Sequence, residues 1–202
     1  MIKNIIFDMG NVLFSYDPDQ IVNQLISEPD EQRRVANAIF HSQGWRQLDQ
    51  GVISYAAYYQ HLAVLFPEHK NEINWILNNW DKQTTYISGM YAVIKHLNKL
   101  SYDLYILSNA NQRYLERQKH LEIFQFFKGI TLSSEVKLLK PDIEIFRKFC
   151  DIHQLEPLEC LFIDDQPENV HGARQAGWDA HHFISTENLK THLQRTMRIS
   201  FD

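Results

Sequence analysis

The sequence predicts an α/β fold: a parallel sheet covered by helices on both faces, with an all-helical insertion after the first strand. Three observations carry this. Short apolar runs at 3–8 (KNIIFD), 102–108 (YDLYILS), 129–133, 160–164 and 178–184 alternate with helical segments, the pattern of a parallel sheet. The first run is apolar on both of its alternating faces, as suits a central buried strand. From about Asp17 to Tyr86 the alternation stops and the apolar spacing is of helical type throughout.

The elements follow in order. Asp8 closes the first run and Gly10-Asn11 break it, so Asp8 is expected at the carboxyl end of a strand, entering a loop. In the insertion, Ile21/Leu25/Ile26, Val35/Ala38/Ile39, Tyr55/Tyr58/Tyr59/Leu62 and Ile73/Ile76/Leu77/Trp80 keep three-to-four spacing. They predict four helices, broken at Pro29, Gly44, Gly51 and Pro67. After Ser88-Gly89, Met90, Val93, Ile94, Leu97 and Leu100 form one helix face. Further helices are expected over 111–127, over 142–153 directly after Pro141, over 168–176 and at the C-terminus. The expected division is a core of residues 1–15 and 87–202 and a helical insertion of 16–86.

A length of 202 residues allows one or two domains, and 44% hydrophobic with 22% charged residues matches soluble globular proteins. A net charge of -5 excludes nucleic acid as the main partner, which would need a basic patch. Cys150 and Cys160 are too few for a disulfide framework and are expected as free thiols in a reducing compartment. The N-terminal apolar run is interrupted by Asp8 and lacks the pattern of a signal peptide. No stretch approaches the ~18 apolar residues of a membrane span. The expectation is a cytoplasmic protein, monomer or homodimer, with no membrane contact. None of the histidines has HExxH spacing or pairs with cysteines as a zinc site would. His181 and His182 are expected on opposite faces of a strand.

This architecture places ligands at the carboxyl ends of the strands. Four positions fall there: Asp8, the pair Ser108-Asn109, Lys140 before Pro141, and the pair Asp164-Asp165. Taken singly, each reads as a turn, cap or solvated residue. Together they supply a carboxylate nucleophile, a hydroxyl and amide, a cation and further carboxylates. A phosphoryl group, its charge spread over three oxygens, needs such a set. Neighbouring acids repel unless a cation lies between them, and Mg²⁺ is the hard, oxygen-seeking ion for that place.

The order FDMGNVL, YILSN, KLLKPD, FIDDQPEN resembles the four motifs of the haloacid dehalogenase-like superfamily, over the whole chain. The insertion resembles that superfamily's cap. Within it, DMGNV, WRQLDQGVIS and FIDDQPENVHGA resemble bacterial sugar-phosphate phosphatases of the glucose-1-phosphate phosphatase type. The resemblance implies a Rossmann-like core and a magnesium-dependent phosphatase acting on a small phosphorylated metabolite. It makes Asp8 the nucleophile and a metal ligand, Gly10 a ligand through its carbonyl, and Asp165 the acidic ligand of the last motif. Ser108 and Asn109 match the phosphate-binding hydroxyl and its neighbour, and Lys140 the lysine that stabilises phosphoryl oxygens. Asp164 and Asn169 are placed behind these.

The sequence departs from the pattern at Gly10, where most phosphatases of the superfamily carry an aspartate that protonates the leaving alcohol and activates water. Asp17, Asp49, His41 and His61 are possible substitutes, each expected as a surface residue of the insertion. Three readings follow. A phosphatase with a good leaving group or another acid is the first. A 2-haloacid dehalogenase needs no proton for halide, but its branch has tyrosine at that position and works without magnesium. A low-turnover binding protein is the third, against which the intact Asp8, Ser108, Lys140 and Asp165 argue. Trp45 and Asp49, near the Gly51 turn, are the candidates for substrate specificity; the other aromatics of the insertion are expected mostly in its core.

Overall fold

Side-chain alternation along Ile5, Ile6 and Phe7 sends Ile5 and Phe7 to one face of the sheet and Ile6 to the other, and all three are fully buried. The computed structural model describes residues 1–201. Strands β1 (Asn4–Phe7), β2 (Asp103–Ser108), β3 (Gly129–Leu132), β4 (Cys160–Asp164) and β5 (Asp179–His182) form one sheet in the order β3-β2-β1-β4-β5. Every neighbouring pair is parallel. The five strands stand where the apolar runs place them. None of the described helices is long and apolar enough to cross a membrane.

Between β1 and β2 come α1 (Pro18–Asn23), α2 (Pro29–Phe40), α3 (Gln43–Asp49), α4 (Tyr55–Leu65) and α5 (Lys70–Asn79). These are five helices where the spacing predicts four. The additional one, α3, was hidden by Gly44, which reads as a break but is the second residue of the helix. A Cβ at Gly44 would come within 2.4 Å of the Tyr58 ring, so the glycine permits close helix approach instead of ending a helix.

The remaining helices are α6 (Met90–Lys99), α7 (Gln112–Gln118), α8 (Ser133–Val136), α9 (Ile143–His153), α10 (Pro167–Gln175) and α11 (Thr186–Met197). The helix expected over 111–127 is α7 followed by a separate 3₁₀ turn, Glu122–Phe126, because the chain turns extended at Leu121. Leu100 lies outside the buried face of α6 and is exposed.

One face of the sheet packs with α6, α11 and the insertion in a single apolar cluster. The other carries Ile6, Tyr105, Leu107 and Phe162 against Ile145, Phe146 and Phe149 of α9 and Val170 and Ala173 of α10. The insertion is also tied down by polar contacts. Arg117 pairs with the buried Asp81 at 2.6 Å, and Gln118 donates to the Asp81 carbonyl. His181 and His182 do alternate: His181 stacks on His192 of α11, while His182 Nε2 lies 3.0 Å from the Asp165 carbonyl oxygen.

Helix α10 touches the segment that carries Lys140. A Cβ on Gly172 would meet the Pro141 carbonyl oxygen at 2.4 Å, and that oxygen is backbone, unable to swing aside. Gly172→Ala is therefore expected to cost ~1–3 kcal/mol through overpacking, a fall of several degrees in melting temperature at ~2–4 °C per kcal/mol for a chain of this length. Thermal unfolding followed by circular dichroism checks this, and a variant melting level with wild type would contradict the packing.

Candidate active site

The strand order puts β2, β1 and β4 side by side, with Phe7 in register with Ile106 on one flank and Ile163 on the other. Their carboxyl ends therefore open together, ~4.8 Å apart, and Asp8, Ser108 and Asp164 meet there. The Asp8 N–H donates to the Ile163 carbonyl at 2.9 Å, which fixes the backbone at the exit of β1.

Lys140 reaches the same point from the loop after α8. It is 1% exposed, and its Nζ lies 2.6 Å from Asp164 Oδ2, 2.9 Å from Asp8 Oδ1 and 3.1 Å from the Leu107 carbonyl oxygen. Burial works to lower the Lys140 pKa, but Asp164 and Asp8 outweigh it and hold the ammonium above its ordinary value. The Asn109 carboxamide clamps this lysine's backbone in both directions, donating to its carbonyl at 2.9 Å and accepting from its N–H at 2.8 Å. Asn109, expected beside the phosphate-binding hydroxyl, lines the cavity, and its side chain has this holding task. The Lys140–Pro141 peptide bond is cis.

Asp164 is fully buried and saturated. Its oxygens accept from Asn169 Nδ2 and the Gln166 N–H as well as from Lys140. Asp165 is partly buried and accepts from Gln166 Nε2 at 2.7 Å. Burial, then the charge of Asp164, raises its pKa. Asp8 Oδ1 is buried, with the Lys140 ammonium 2.9 Å away as its close cationic neighbour. Desolvation raises Asp8 to about 6, with Lys140 pulling it down and Asp164 pushing it up. Carboxylate oxygens of Asp8, Asp164 and Asp165 lie within 4.8 Å of one another. Three carboxylates against one ammonium leave two negative charges when all are ionised. An all-oxygen donor set with this excess of negative charge fits a hard divalent cation.

Above this cluster is a cavity of about 200 Å³. Its floor includes Asp8, Gly10, Ser108, Lys140 and Asp165, and the insertion contributes Tyr16, Trp45, Asp49 and Trp80. The rings interlock: Trp80 lies 5.4 Å from Trp45, 5.6 Å from Tyr16 and 5.1 Å from Tyr114, measured between ring centroids.

A sequence profile of haloacid dehalogenase-like hydrolases matches residues 2–177. The chain belongs to the haloacid dehalogenase-like hydrolase family. Among relatives of this family member, a sesquiterpene phosphatase of Aspergillus oryzae is 28% identical over 191 residues, covering 94% of this chain and 92% of its own. A D-ribitol-5-phosphate phosphatase of Bacteroides thetaiotaomicron is 26% identical over 196 residues, 89% of this chain and 90% of its own. The fold is shared with a haloacid dehalogenase family enzyme of B. thetaiotaomicron solved with magnesium and inorganic phosphate. There the TM-score is 0.75 at 20% identity, over 92% of this chain and 96% of that one.

The structure thus brings together all the residues that this hydrolase's sequence singles out at the strand ends, along with Trp45 and Asp49. It separates the others considered beside Gly10: Asp17, His41 and His61 are exposed and outside the cavity. Asp49 is the correction. Expected at the surface, it is partly buried and faces the cavity. Three cavity residues were missed by the sequence reading. Tyr16 and Tyr114 carry no motif. Asn111 had a signal, three residues after Ser108 at a helix start: its Oδ1 caps α7 through the Tyr114 N–H, and its side chain lines the cavity.

The raised Asp8 has a sign. Folding lifts its pKa from 3.8 to about 6, so its contribution to stability is present below the unfolded value and is lost as pH rises through about 6. In EDTA, Asp8→Asn is expected to melt several degrees above wild type near pH 7.5, the gap narrowing toward pH 4. Melting curves at both pH values check this; a gap of constant size would contradict it.

Proposed function

We propose that this hydrolase is a magnesium-dependent phosphoric monoester hydrolase working through an aspartyl-phosphate on Asp8. The observation that carries this reading is the buried Asp8 carboxylate, set between Lys140 and the Asp164-Asp165 pair at the floor of a cavity. Asp8, Asp165 and the Gly10 carbonyl are the residues to hold the ion, since the oxygens of Asp164 are already taken by Lys140, Asn169 and the Gln166 N–H. Magnesium, when bound, neutralises charge on the phosphoryl oxygens. The family enzyme solved with magnesium and phosphate supports this assignment.

The chain's own residues do the rest. Asp8 attacks phosphorus in line; its O–P bond forms as the ester P–O bond breaks and the alcohol leaves. The Ser108 hydroxyl and the Lys140 ammonium meet the phosphoryl oxygens. Water then attacks phosphorus, and Asp8 is released as a carboxylate with inorganic phosphate. Asp164 keeps Lys140 charged and in place, and Asn169 holds Asp164. In this reading residues 1–15 and 87–202 are the catalytic core and 16–86 the cap that excludes water.

The substrate is a small phosphorylated metabolite. Tyr16, Trp45 and Trp80 offer ring faces to the C–H surface of a sugar or polyol, or to an apolar chain. The phosphatases of ribitol 5-phosphate and of a sesquiterpene substrate among its relatives bracket that range. Glucose 1-phosphate, whose anomeric oxygen leaves readily, is the sugar phosphate that the motif resemblance favours. The magnesium-type carboxylate cluster and the glycine at position 10 weigh against a dehalogenase.

Phosphate release from p-nitrophenyl phosphate is expected with Mg²⁺, absent in EDTA, and reduced by at least ~10³-fold in Asp8→Asn, since the nucleophile is removed. No turnover by wild type under any of these conditions sinks the proposal. Trp45→Ala is expected to raise KM for the best substrate severalfold with little change in kcat; an unchanged KM would remove Trp45 from the binding surface.

A further inference from the structure

The cavity lacks an acid at position 10 but has one on the opposite wall. We propose that Asp49 is the proton donor and acceptor of this site, delivered by the insertion in place of a side chain at Gly10. This rests on the phosphatase reading above.

Three features support it. Among the described residues lining the cavity, Asp49 is the only carboxylic acid contributed by the insertion, and the only one outside the Asp8 cluster. The segment that carries it is pinned to the core. Ser133 Oγ donates to the Asp49 carbonyl at 2.6 Å, Gln50 Nε2 to the Lys137 carbonyl at 2.9 Å, and Lys137 Nζ to the Gly51 carbonyl at 2.7 Å. Finally, the carboxyl end of α3 meets the loop that follows Ser108 through Ser133, whose Oγ also accepts from the Ala110 N–H at 3.0 Å.

Its chemistry suits the task. Burial, above all, raises the Asp49 pKa well above the carboxylate range; Asn111 lowers it in part and the charge of Asp8 raises it further. A carboxyl group that keeps its proton in the cavity protonates a leaving oxygen. As Asp8 Oδ bonds to phosphorus and the ester P–O bond breaks, the Asp49 proton passes to the leaving oxygen and the alcohol departs neutral. The resulting carboxylate takes a proton from the water that attacks phosphorus, which restores Asp49 as acid and frees Asp8. The other proton donors of the cavity fit less well: burial raises the phenols of Tyr16 and Tyr114 above their ordinary values, and Lys140 is held by two carboxylates.

The test is leaving-group dependence. In Asp49→Asn, kcat/KM for the best alkyl phosphate of a sugar- and polyol-phosphate panel is expected to fall ~10²–10⁴-fold. For p-nitrophenyl phosphate, whose phenolate leaves without a proton, the fall is expected to stay under about tenfold. Adding Gly10→Asp to Asp49→Asn is expected to recover part of the loss, since a Cβ there meets no non-neighbouring atom closer than Tyr16 Cβ at 4.0 Å. Equal losses on both substrates would mark Asp49 as structural and overturn the assignment. So would no loss on either, or a wild type that cleaves p-nitrophenyl phosphate but no alkyl phosphate. A wild type inactive on everything overturns the phosphatase reading, and this assignment with it.

Discussion

Lys140 Nζ is buried at the carboxyl end of the sheet between Asp8 and Asp164, and the fully buried Asp164, 2.6 Å away, is its main counter-charge. Removing that partner would leave the ammonium uncompensated, a loss that typically costs ~3–5 kcal/mol, whereas the desolvated Asp8 is held against its own ionisation. Much of the surrounding structure serves this contact. Asn109 grips the lysine's backbone, Asn169 and the Gln166 N–H fill the remaining acceptors of Asp164, and Gly172 lets α10 lie against the Pro141 carbonyl. Asp8 is the exception. Burial raises its pKa to about 6 in spite of Lys140, which suits the reacting role proposed for it.

The sheet order explains why so few residues suffice. With β1 in the centre, flanked by β2 and β4, three neighbouring strand ends deliver Asp8, Ser108 and Asp164 without any long loop. The insertion leaves the chain directly after β1 and returns before β2, so its rings fall over the same point. Edge-on and stacked contacts join Tyr16, Trp45, Trp80 and Tyr114, and all four line the cavity.

The core was legible in the sequence because its signals are local. Short apolar runs end in polar residues, and the strand alternation of KNIIFD or YDLYILS has few competing explanations. The motif residues were legible for the same reason, each sitting at a strand end or a helix start. The insertion was harder to read. Helix α3 was lost because a glycine chosen for contact with Tyr58 looks identical to one chosen to break a helix. Asp49 and Tyr16 were misjudged or missed because their placement is set by how the insertion docks, through contacts as distant in sequence as Ser133 Oγ to the Asp49 carbonyl. Periodicity carries no information about such contacts. The task of Asn109 was hidden too, since a reciprocal pair with the Lys140 backbone depends on a loop conformation that sequence does not display.

The glycine at position 10 and the acid at position 49 have a joint consequence. In the proposed mechanism, an aspartate two residues after Asp8 would ride on the core and be present whether the insertion is open or docked. An acid on the insertion reaches the site only when residues 49–51 are seated on Ser133 and Lys137. The contacts that shut out water would then also bring the proton, so that an open enzyme holds a nucleophile without an acid. Such an arrangement ties turnover to substrates that let the insertion close. The aromatic cover, more than the phosphate-binding floor, would then decide which alcohols are released.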